Sequence, residues 1–110
     1  MIREGYIERS IRQLRQAFAA LLGKVDRTVE PAILEARLDE LYREHLGISR
    51  QILETLDTAS RLHLLEDRAF VAVELMRGER DLLAAAGRTS DAADVDRRLA
   101  ELKALVDGQA

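Results

Sequence analysis

Between residues 4 and 25 the apolar side chains fall at Ile7, Ile11, Leu14, Phe18, Leu21 and Val25, alternately four and three apart. With 3.6 residues per turn, that spacing draws one apolar seam down a helix. A helix is therefore predicted from Ile2 to Leu22, with Gly23 at or just beyond its end, where glycine tolerates a left-handed cap. A second surface on the same helix, made by Ile2, Tyr6, Ala17 and Leu22, widens the apolar area beyond a narrow stripe. This helix thus needs covering on more than one side, by the rest of the chain or by a symmetry mate. Tyr6, Ile7, Ile11, Leu14, Phe18 and Leu22 form the candidate interaction surface.

The three-to-four spacing recurs along the chain. After a connection over residues 24–29, Pro31 suits the first turn of a second helix, where its missing N–H has no acceptor, and Thr28 is a competing cap. Leu34, Leu38, Leu41, Tyr42 and Leu46 carry that helix to Gly47, so residues 2–46 read as an antiparallel hairpin. Ser49 caps a short helix over about 49–57, with Ile52, Leu53 and Leu56 turned inward. Asp57 to Ser60 then weaken the pattern. A short helix capped by Ser60 and a long one are expected over 60–86, with Glu66 and Asp67 opposing the positive end of the long helix. Gly78, inside the long helix, lowers helix propensity by about 1 kcal/mol relative to alanine, and its small size permits a close helix contact.

Gly87 ends the long helix, and Arg88 to Asp91 form a turn rich in capping residues. Ala92, Val95, Leu99, Leu102, Leu105 and Val106 line the last helix, which ends near Gly108 and closes a second hairpin over about 67–107. No segment alternates in twos. The fold class is all-α, a single helical domain over residues 1–110 built of antiparallel hairpins in a small bundle. At a constant offset, Arg37, Leu38, Glu40, Leu41 and Gly47 match Arg98, Leu99, Glu101, Leu102 and Gly108, which suggests two related hairpins.

The opening MIREGYIERSIRQLRQAFAALLG, the second helix ending LYREHLG and the later LLAAAGRTSDAADVDRRL resemble a family of short, uncharacterised bacterial proteins related to tetratricopeptide repeats. Tyr6, Ile7, Ile11, Leu14 and Gly23 chiefly carry the resemblance. It implies an all-helical fold of tetratricopeptide-like hairpins and no established activity. The chain departs from the repeat pattern at Asp96, where an aromatic is expected, and in the longer turn of its first hairpin.

Charge and composition narrow the function. The 34% of charged residues mix both signs at a formal net charge of -3, which argues against generic nucleic-acid binding. Arg3, Arg9, Arg12, Arg15 and Lys24 make residues 1–24 locally positive, read as a solvated face or an internal electrostatic match to the acidic later helices. There is no cysteine, the first ten residues carry four charges where a signal peptide needs an apolar run, and no stretch is apolar enough to span a bilayer. A cytoplasmic protein without membrane attachment is expected. His45 and His63 are too few and too far apart for a zinc site, no Glu-x-x-His pair is present for a di-iron site, and no phosphate loop or nucleophile elbow occurs. The expectation is therefore no metal, no cofactor and no enzyme. What remains is an interaction module that forms a homodimer or accepts a protein partner's helix in an apolar groove. A regulatory domain holding a small apolar ligand near Phe18, Phe70 and Met76 is the alternative.

Overall fold

The computed structural model describes residues 2–109; the side chains of residues 2–4, 58, 62 and 109 lie outside the described set, those of Ile2 and Arg3 among them. Six α-helices follow in order: α1 Ile2–Leu22, α2 Pro31–Leu46, α3 Arg50–Thr55, α4 Thr58–Leu65, α5 Ala69–Ala85 and α6 Thr89–Gln109. A 3-10 turn, Glu66–Arg68, joins α4 to α5, and no strand occurs among the described residues. None of these helices is long and apolar enough to cross a membrane.

The centre is α5. Val71, Ala72, Leu75, Met76, Leu82 and Leu83 are buried on several of its sides, and a helix with apolar residues on several sides must lie among other helices. α6 returns antiparallel to it, pairing Asp96 with Arg80 at 2.9 Å, and buries Val95, Leu99, Leu102 and Val106. α1 lies along another side and runs parallel to α5, with Arg15 against Glu74 and Phe18 against Gly78. α2 supplies Leu34, Leu38, Leu41 and Leu46 to the same core.

This arrangement changes the expected first hairpin. α1 packs mainly on α5 and only weakly on α2, because α5 offers apolar surface on several sides and can serve both helices at once. Local boundaries follow the sequence more closely. Gly47 closes α2 in the left-handed region at φ 69°, a conformation glycine adopts without steric cost, and its N–H donates to the Arg43 carbonyl. Ser49 caps α3, its hydroxyl accepting from the Ile52 N–H at 3.3 Å.

Several expectations need correction. Asp57, not Ser60, starts α4: its carboxylate accepts from the Ser60 N–H at 2.8 Å. Thr28 bonds to Asp26 instead of capping α2. Ile52 points outward while Leu53 is buried. The last helix begins at Thr89 and runs through Gly108, so the proposed correspondence of Gly108 with the left-handed Gly47 fails.

Candidate interaction surface

The six residues singled out on α1 divide between core and surface. Leu14 and Phe18 are buried inside the chain and present nothing to a partner. Ile7 and Ile11 are half-buried against the core, whereas Tyr6 and Leu22 are 47% and 38% exposed. The seam is used up by α5, and only its flanks remain outside. Phe18 gives the reason: its ring lies over Gly78, where an added Cβ would stand 2.3 Å from the ring carbons. A bare glycine lets α1 approach α5 closely enough to bury the seam.

Beside that crossing a groove runs along α5, walled by α1 and α6. Its upper part, a cavity of about 270 Å³, is lined by Ile11, Phe70, Val73 and Val106 with Lys103 and Asp107 on the rim. Its lower part, about 310 Å³, reaches past Phe18, Ala19 and Gly78 to Leu22 and Asp81. Arg15, Glu74 and Arg77 line both parts. Glu74 joins them, accepting from Arg15 at 3.0 Å and from Arg77 at 3.1 Å. From Phe70 to Asp81 the groove follows three turns of α5, about 16 Å at the helical rise. Phe70, 53% exposed at the upper end, was not foreseen as part of an interaction surface.

A second cluster is polar and interior. Arg50, on the short α3, reaches across the bundle to Glu35 and Asp39 of α2 and to Glu79 of α5, the last two at 3.1 and 3.0 Å. Glu79 is nearly enclosed, and its other oxygen accepts from the Tyr42 hydroxyl at 2.6 Å. Burial raises the Glu79 carboxyl above its ordinary range, with the bonds from Tyr42 and Arg50 pulling the other way. Burial, then the Glu79 charge, drives the Tyr42 phenol well above its ordinary value. The cluster cross-links α2, α3 and α5. Outside it, Arg88 Nη1 stands 2.9 Å from Glu35 without hydrogen-bond alignment.

The two histidines do not converge: His45 is buried on α2, where burial lowers its pKa, and His63 is exposed on α4. No group of three or more His, Cys, Asp or Glu side chains is placed to hold a metal ion among the described residues. Phe70 and Phe18 line the two ends of the groove and Met76 lines a separate small cavity, so the three do not enclose one apolar ligand together. No family model, curated protein or solved structure matches the chain.

Proposed function

We propose that this chain is a small helical interaction module whose partner surface is the groove along α5, filled by an amphipathic helix of a second chain. The exposure of Phe70 carries the reading. A phenylalanine gains about 1.5–3 kcal/mol on burial, yet this one stands at the mouth of an apolar cavity with Ile11, Val73 and Val106 around it. Leu22 repeats the arrangement three turns away. Anchors at the two ends and a charged bridge between them fit a helix that presents apolar residues at both ends and a polar residue near the middle.

A second copy of the chain is the first occupant to test, because two-fold dimers are the commonest closed assembly. Sedimentation velocity over a concentration series is expected to show a mass above the 12.4 kDa of one chain. Phe70→Glu with Leu22→Glu should return it to one chain while leaving the helical circular dichroism intact. Monomer at every concentration, together with no photo-crosslinked partner from position 70 in the native cell, would overturn the proposal.

A further inference from the structure

The passage from α4 to α5 is bent where the sequence provides no breaker. Between Thr58 and Arg77 there is no glycine, proline or asparagine, and Leu65, Ala69, Ala72 and Met76 keep a helical spacing straight across the 3-10 turn. All four are buried. The bend is nevertheless made at Glu66, the only non-glycine residue with a positive φ among the described residues, at 51°. A residue carrying a Cβ enters that region at a steric cost that glycine is spared. Neither the turn nor α5 has a side-chain cap at its start, so the amides freed by the bend gain no partner of that kind.

Local preference and tertiary packing therefore disagree at this place. The packing that enforces the bend runs between the two halves of the chain that the turn joins. α1 and α2 pack on α5, and α4 packs on α6, while α5 and α6 hold each other. Arg68 fastens the turn itself, its guanidinium donating to the Leu46 carbonyl at the end of α2. A second copy can supply the contacts between halves, because an exchanged half meets the same surfaces. Bent and straight connections then differ mainly at the turn, where the straight one is free of the Glu66 conformation.

We propose that residues 65–68 are a hinge through which two copies of this chain exchange halves, α1–α4 of one packing on α5–α6 of the other. In the exchanged dimer α4 and α5 run on as one helix from Thr58 to Ala85, about 42 Å long at the helical rise. The groove along α5 is kept, but each of the two grooves is walled by α1 of one chain and by α5 and α6 of the other. Exchange links two grooves in one particle, whatever fills them.

The test unfolds and refolds the full chain over a range of concentrations and separates the products by gel filtration. A dimer whose share grows with concentration is expected. Glu66→Gly relieves the bend and weakens the straight helix, so its dimer should dissociate at a concentration at least about tenfold higher than that of wild type. Glu66→Ala removes the same charge but keeps a Cβ and helix propensity, and should dimerise at least as well as wild type. Connectivity separates exchange from a dimer docked through the groove. Glu54 Oε1 and Arg98 Nη1 lie 3.5 Å apart on opposite sides of the hinge in sequence, and neither residue lines the groove. Glu54→Cys with Arg98→Cys places two thiols there in a chain that otherwise has none. A short bis-maleimide should join them between chains in the dimer fraction, giving twice 12.4 kDa on a denaturing gel, and within one chain in the monomer fraction. A chain that stays monomeric at every concentration, a dimer whose crosslink is intrachain, or a Glu66→Gly dimer as tight as wild type would each refute the exchange.

Discussion

Glu79 is buried although it lies between Arg77 and Asp81 in the most charged stretch of α5, and its two oxygens answer a phenol from α2 and a guanidinium from α3. Its carboxyl, raised by burial above the ordinary 4.5, keeps its proton in the folded chain after the unfolded chain has lost one. In that window the native state binds more protons, so the contribution of Glu79 to stability declines as pH rises from 4.5. Denaturant titrations at several pH values should show wild type losing ground to Glu79→Gln over that range. Glu35 behaves oppositely. Despite partial burial, Arg50 and Arg88 hold its carboxyl below the ordinary range, so its contribution is present above that range and vanishes as pH falls through the lowered value. Tyr42→Phe should cost about 1–3 kcal/mol by urea unfolding, because it strips a donor from a buried carboxylate. None of this was legible in the sequence. Tyr42 fits the apolar seam of its helix, and its partner lies 37 residues away, beyond any on-helix pairing rule. The pairing rule did succeed on the surface, where Arg37 meets Glu40 at 2.8 Å.

Among the elements, the crossing of α1 over α5 depends on Gly78. Alanine there gains about 1 kcal/mol of helix propensity but drives a methyl into a buried ring, and overpacking typically costs about 1–3 kcal/mol. Gly78→Ala is expected to destabilise by up to about 2 kcal/mol in chemical unfolding. Adding Phe18→Leu should recover part of the loss; if the alanine variant equals wild type, the ring has room to move and the crossing is looser than described. This close approach was legible, since a glycine inside a strongly apolar helix has few other uses. The helix boundaries were legible too, because Pro31, Gly47, Ser49 and Gly87 act within one turn of themselves. What sequence could not show was the pairing of helices. The apolar stripe of α1 states that a partner exists, but α2 and α5 present similar stripes, and only the burial of α5 on several sides decides between them. The candidate site suffered for the same reason. Leu14 and Phe18 went to that partner, and Phe70 stands exposed because α6 and α1 leave its end of α5 uncovered.

For the whole molecule, 41 Å long and 20 Å across its thinnest direction, cohesion is uneven. α5 is enclosed by α1, α2, α4 and α6, whereas α3 has only six residues and rests chiefly on α2. Amide hydrogen exchange should therefore be slowest in α5 and fastest in α3 and the start of α4, with α6 between them. Uniform protection across all helices would contradict that ranking. The parallel docking of α1 on α5 also bears on how the chain is made. Arg15 and Glu74 are 59 residues apart, so α1 awaits a companion that is translated much later. At roughly 5–20 residues per second, the ribosome takes about 3–12 s to supply it. Through that interval the Ile7-to-Val25 seam is a nascent chain's bare flank, open to chaperones and to neighbouring copies on the same messenger.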